Sequence, residues 1–240
     1  MAYAQDICYE NEHKNYVQNN LVADQFPRDF SIVSSNLFQT SGKTSRVEKI
    51  AFEIVRGIHE GRLVPGQRLV EAVLTAELDT SRGPLREALR LLSAAGLVDL
   101  VPNRGAMIRK MSKEEILHRL QLVDVMGAIA LRDYVPSSVE KNRLKPLIEE
   151  TAGSGEAVLQ PIMNFYGQIA RSNDNTTLAE MLARLNICHF SRHILQVLKI
   201  DPAEFWEDFR AAAHAILEGN HDDALQKHST WVNKVITCAA

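Results

Sequence analysis

At 240 residues the chain has room for one large or two small domains, and 45% hydrophobic residues let it bury a sizeable core. No apolar run reaches the roughly 20 residues of a transmembrane helix. The opening MAYAQDICYENEHKNYVQNN lacks the apolar centre of a signal peptide, and three scattered cysteines (Cys8, Cys188, Cys238) have no zinc, redox or disulfide spacing. The expectation is a cytoplasmic protein without membrane contact. A net charge of −3 argues against a uniformly basic nucleic-acid binder, but the charge is uneven. Residues 46–112 hold 11 Lys and Arg against 8 Asp and Glu, and residues 113–240 hold 13 against 17. A basic module joined to an acidic one suggests two jobs.

Residues 1–45 show no sustained period and are expected to form a flexible arm. Residues 46–60 place Val47, Ile50, Ala51, Ile54, Val55 and Ile58 at helical spacing, with Ser45 as amino cap and Gly61 as stop. LVPGQRL is a Pro-Gly turn with β-prone flanks. Val70–Leu78 is expected to be a short helix with Val73, Leu74 and Leu78 inward. A polar turn at Asp79–Ser81 leads into a helix running to about Ala95. On it, Arg82, Arg86 and Arg90 form one stripe, while Leu85, Leu89 and Leu92 form another. After Gly96, Leu97–Leu100 and Ala106–Arg109 are strand-like and flank the basic turn VPNRG. Helix, turn, helix, turn, helix, hairpin is the order of a winged helix-turn-helix. Its third helix enters the major groove of double-stranded DNA, and its wing reaches a neighbouring groove or the backbone. Both cation placements, the helix stripe and the wing tip, agree with DNA as partner.

The stretch VPGQRLVEAVLTAELDTSRGPLREALRLLSAAGLVDLVPNRGAMI resembles the DNA-binding domain of the GntR family of bacterial repressors. Pro65, Gly66, Leu69, Glu71, Ser81, Arg82, Pro84, Arg86, Glu87, Ala88, Leu89, Leu92, Gly96, Leu97, Val98 and Gly105 match the family pattern. Gly83 departs from it, standing where a Thr is usual and removing a hydroxyl that would face phosphate. The resemblance implies that Ser81 and Arg82 open the recognition helix on phosphate and base edges. It further implies that Arg86 is a base or phosphate contact and that Arg104-Gly105 tracks the minor groove. Gly83 and Pro84 fall within the same contact surface, Arg90 is at most a phosphate contact, and Asn103 completes the wing tip. A helix amino terminus presents free N–H groups to phosphate, and arginine can pair with guanine through two hydrogen bonds.

Residues 112–240 are expected to be all-helical, an antiparallel bundle of six or seven helices. Ser112 and Glu115 make a capping box, Ser137 or Ser138 caps the next helix, and Gly153-Ser-Gly155 is a break. Pro161 kinks or starts the helix ending at Ser172. Asn175–Lys199 is expected to be one long helix, Asp201-Pro202 starts another ending at Gly219, and the last begins near His221. FYGQIARSNDN and AAAHAILEGNHDDA resemble the effector domain of the FadR subfamily, the FCD type. The organisation expected is therefore an arm over 1–45, a winged helix-turn-helix over 46–111, and an effector-binding and dimerisation bundle over 112–240.

Many members of that subfamily hold a divalent metal. By position, the resemblance puts its ligands on Ile162, Tyr166, Phe209 and Trp231, none of them a normal ligand. No metal cofactor is therefore expected. An effector pocket is expected instead around Val123, Ile162, Tyr166, Phe209 and Trp231, suited to an aromatic or weakly polar ligand, with His189, Arg192 and Arg210 as polar partners. Two other histidine sets could bind metal: His189 with His193, four apart, and His214, His221 and His228, seven apart but interrupted by Gly219. Plain core is the competing reading, slightly favoured over a ligand box for any one of the aromatics. The function expected is a homodimeric repressor on a palindromic operator, controlled by a small molecule. The alternatives are a ligand-independent DNA-binding protein whose bundle only dimerises, and an enzyme. No nucleophile–base, paired-carboxylate or phosphate-loop constellation supports the enzyme.

Overall fold

The structure is a computed structural model that describes residues 45–102, 104–149 and 157–238. The expected arm, Asn103 of the wing tip and the Gly153–Gly155 break lie outside them. The chain divides into two compact units. One holds the described residues up to Ile54 with Gln67–Ile108, and the other holds Val55–Gly66 with Arg109 onward.

The boundary falls inside α1 (Arg46–His59). Ser45 and Glu48 start this helix reciprocally: the Glu48 amide donates to Ser45 Oγ at 3.2 Å, and the Ser45 amide donates to Glu48 Oε2 at 2.5 Å. In the first unit, α2 (Glu71–Glu77) and α3 (Arg82–Ala94) follow a two-residue strand β1 (Arg68–Leu69). The wing is β2 (Val98–Val101) and β3 (Gly105–Ile108), antiparallel, in a sheet ordered β1-β3-β2. The core of this unit gathers Ile50, Ile54, Leu74, Leu85, Leu89, Leu92, Val98 and Ile108. Val73, expected to point inward, is instead 50% exposed. Leu74 is the buried residue of this seven-residue helix.

The second unit contains seven α-helices among its described residues: α4 (Lys113–Leu131), α5 (Ser138–Glu149), α6 (Leu159–Ser172), α7 (Thr176–Arg184), α8 (Ser191–Leu198), α9 (Pro202–Glu218) and α10 (His221–Cys238). α10 packs on both α4 and α9, and α6 packs on α4, α5 and α7. Ser112 caps α4 by accepting from the Glu115 amide. Rather than completing the box, the Glu115 carboxylate accepts from Arg109 at 2.8 Å and from Arg119 at 2.9 Å. Ser137 and Glu140 cap α5 reciprocally. Pro161 sits in the first turn of α6, where an absent N–H costs nothing.

The single helix expected over Asn175–Lys199 is broken. α7 ends at Arg184, Asn186 adopts φ 55°, and Ile187–Phe190 forms a 3₁₀ turn before α8. Burial explains the break. Ile187, Cys188, His189 and Phe190 are all buried, whereas a straight amphipathic helix buries only one face. Asparagine tolerates the left-handed conformation at the corner. His189 and His193 therefore do not share one α-helix.

Candidate nucleic-acid interface

Local sequence fixes the amino end of α3. Ser81 is extended, with φ −87° and ψ 166°, and its side chain makes no capping hydrogen bond. No acidic residue occupies the first turn. The first N–H groups and the Ser81 hydroxyl thus face outward without an internal acceptor, and the helix dipole adds partial positive charge there. Pro84 fits the first turn because its position needs no donor. Leu85, Ala88, Leu89 and Leu92 are all at most 2% exposed, so the opposite face is anchored in the core. Behind the turn, the Arg46 guanidinium donates to the carbonyl of Asp79, whose φ is 44°. An open cleft of about 510 Å³ lies here, lined by Arg46, Thr75, Asp79, Thr80, Ser81 and Pro84.

Arg82, Arg86 and Arg90 are all exposed on α3. Among the described residues, Arg82 and Arg90 make no hydrogen bond or ion pair. Arg86 differs: its Nε donates to both carboxylate oxygens of Glu71, each at 3.0 Å. An added Cβ at Gly83 would meet nothing within 4 Å, so this position has space for the side chain it lacks. Arg104 and Gly105 are exposed at the wing, where the Arg104 amide bonds Val101 O at 3.0 Å. Gly105 has φ +83°, which strains any residue with a Cβ.

The residues expected to form an effector pocket differ in burial and partners. Val123, Ile162, Tyr166, Phe209 and Trp231 are buried, and the aromatics pack on one another. The Tyr166–Phe209 and Phe209–Trp231 ring centroids are 6.0 and 6.3 Å apart, both edge to face. Arg192 is exposed beside Gly61. Arg210 bonds Glu207 on the surface at 2.7 Å. His189 is 3% exposed with neither ring nitrogen hydrogen-bonded, and burial together with the charge of His59 pushes its pKa down to about 3. His193 bonds the Met111 carbonyl at 3.1 Å. His214 is exposed on α9, and His221 and His228 lie on α10. Among the described residues, no three His, Cys, Asp or Glu side chains gather as metal ligands.

His228, named in the sequence only as one of three spaced histidines, has a different setting. It is fully buried: Tyr166 Oη lies 2.7 Å from Nδ1, and the Asp124 carbonyl lies 2.8 Å from Nε2. This geometry fits a neutral ring that donates from Nε2 and accepts the phenol proton at Nδ1. Burial lowers its pKa, and Asp124 only partly counters that. The ring lies against Gly127, where a Cβ would be 2.5 Å from His228 Cε1. The available signal was its place on the apolar face of α10, in register with Ala224, Trp231, Val232 and Val235.

Comparison with known proteins adds to this geometry. Residues 46–108 match the family model described as bacterial regulatory proteins, gntR family. A D-xylose utilization operon transcriptional repressor of Paenarthrobacter nicotinovorans is 24% identical over 72% of this chain and 76% of its own length. The galactonate operon transcriptional repressor of Escherichia coli is 27% identical over 57% of this chain and 62% of its own. A GntR transcriptional regulator from Rhodococcus sp. RHA1 shares the fold with a TM-score of 0.69 at 22% identity, covering 82% of this chain and 98% of that one. E. coli McbR/YncC does so with a TM-score of 0.60 at 20% identity over the same shares. Among the described residues, no helix is long and apolar enough to cross a membrane. Residues 46–108 are thus a DNA-binding domain that matches the gntR family of bacterial regulatory proteins, and the relatives of the chain are named transcriptional regulators.

Proposed function

We propose that this chain is a repressor of the FadR subfamily that binds a palindromic operator as a homodimer and answers to a small molecule in its helical unit. The observation that carries the DNA contact is the amino end of α3. Its uncapped Ser81, outward N–H groups and exposed Arg82 sit on a helix held rigidly from behind. In this reading Ser81, Arg82, Gly83, Pro84 and Arg86 lie in the major groove. Arg90 reaches phosphate, and Asn103, Arg104 and Gly105 follow the neighbouring groove. Arg82→Ala should lower affinity for an operator selected from random duplexes by roughly 5- to 150-fold, the range of one bidentate base contact. Circular dichroism should stay unchanged. Equal affinity of variant and wild type in a gel-shift titration removes Arg82 from the interface. Operator affinity should also fall steeply with salt.

The dimer is supported by α4, which is apolar on several sides yet leaves Leu122, Val125 and Ile129 between 43% and 59% exposed at i, i+3, i+7 spacing. A metal-free helical unit is supported by the side chains at the subfamily's ligand positions, since Ile162, Tyr166, Phe209 and Trp231 supply no imidazole or carboxylate. Elemental analysis yielding stoichiometric zinc, nickel or manganese refutes it. One observation favours the second reading, a bundle that only dimerises: the interior around Tyr166, Phe209 and Trp231 is filled by its own rings. A thermal-shift screen of small acids and aromatics separates the two.

A further inference from the structure

Arg86 and Glu71 stand fifteen residues apart, yet one N–H of the guanidinium joins them. Nε donates to Oε1 and Oε2 of Glu71, both at 3.0 Å, while no hydrogen bond of either terminal nitrogen of Arg86 is among those described. Arg86 keeps 58% of its side-chain exposure and Glu71 keeps 30%, so the carboxylate lies deeper and the guanidinium outward. Glu71 itself is fixed. It is the first residue of α2, where a negative charge suits the helix dipole, and Leu74 one turn on is buried in the same core as Leu85 and Leu89 of α3.

A guanidinium can meet guanine O6 and N7 in two ways, end-on through both terminal nitrogens or side-on through Nε and one of them. With Nε occupied, the side-on mode is closed. We propose that Glu71 is a positioning residue for Arg86, holding its guanidinium so that only the two terminal nitrogens are offered, end-on, to one guanine of the operator. This rests on the reading that α3 lies in the major groove. The pairing has a second consequence. The carboxylate cancels the cation's field at a distance, so Arg86 adds little to sequence-independent attraction while remaining able to read a base. Discrimination is raised from both sides, by fixing the good contact and by weakening the indiscriminate one.

The test uses the full chain with two probes: a duplex selected from a random pool by the wild-type protein, and a scrambled duplex of equal length. In Glu71→Ala the ratio of specific to non-specific affinity should fall by roughly 10-fold, within the range of one bidentate contact. Affinity for the scrambled duplex should rise, and its salt slope should steepen by about 0.9, the contribution of one further phosphate contact. Glu71→Gln keeps an acceptor for Nε without the charge, so it should retain most of the ratio yet show the same rise on scrambled DNA. These opposite movements are not what a loss of fold produces, and melting curves of each variant check the fold. An unchanged ratio in Glu71→Ala beside a collapsed ratio in Arg86→Ala overturns the positioning role alone. An unchanged ratio in Arg86→Ala overturns the groove assignment of Arg86 and this inference together. If Glu71→Ala does not fold, Glu71→Gln decides: unaltered affinity for scrambled DNA overturns the proposal.

Discussion

Gly127→Ala in the middle of α4 is expected to destabilise the protein, although the same change at an open helical site stabilises by about 1 kcal/mol. The new Cβ would lie 2.5 Å from His228 Cε1, 2.8 Å from Nε2 and 3.3 Å from Tyr166 Cε1. The His228 ring cannot swing aside freely, because it is fully buried and held at both nitrogens by Tyr166 and the Asp124 carbonyl. Overpacking a closed core costs about 1–3 kcal/mol. Pulling the ring off its partners strands buried polar groups at about 1–3 kcal/mol more. Setting the helix-propensity gain against these leaves a net loss of about 3 kcal/mol, which is roughly 10 °C for a unit of this size. Urea unfolding followed by circular dichroism measures it. The decisive arm is the double variant. In a His228→Ala background the space is vacated, so adding Gly127→Ala should help by about 1 kcal/mol instead of hurting. A single variant as stable as wild type, or a double variant no better than the sum of its parts, refutes the wedged-ring geometry.

Three further outcomes are expected. Gly83→Thr should fit without strain, since nothing lies within 4 Å of its Cβ, and the restored hydroxyl should tighten operator binding by roughly 5-fold, the worth of one hydrogen bond; fluorescence anisotropy measures it. His189 has a folded pKa of about 3 against about 6.5 unfolded, so the unfolded chain takes up the proton first. Its contribution is whole above pH 6.5, falls by about 2 kcal/mol by pH 5, and continues to fall toward pH 3. His189→Leu should flatten that part of the stability–pH curve, and an unchanged slope counts against it. Val125→Glu, at 59% exposure on α4, should yield monomers in sedimentation while preserving helicity; a persistent dimer places the interface elsewhere.

What the sequence disclosed depended on how local the cause was. α1, α3 and the wing hairpin were legible because short-range signals agree over each: apolar period, the Ser45 amino cap and the Pro-Gly turn. The exposed arginines followed from the same period, with Leu85, Leu89 and Leu92 marking the opposite face. The Glu71–Arg86 pair was not legible, because it joins two helices across a turn whose geometry no local pattern states. Asn186 was missed for another reason. Apolar residues on both sides of it keep a helical period, and only tertiary packing demands that Ile187 through Phe190 all be buried. His228 was treated as one of three evenly spaced histidines, whereas its meaning lay in the apolar neighbours of its own helix. Of the expected polar partners, Arg192 is exposed and Arg210 is half-buried and paired with Glu207.

The aromatic interior has a practical consequence. Trp206 and Trp231 are the chain's only tryptophans, and both are buried there, while residues 46–111 contain neither Trp nor Tyr. Intrinsic tryptophan emission is thus an optical reporter of the helical unit and is silent for the winged helix. Operator binding that leaves this emission untouched says nothing against binding. A fluorescence melt that departs from the far-ultraviolet melt would reveal two units unfolding separately, before any label is attached.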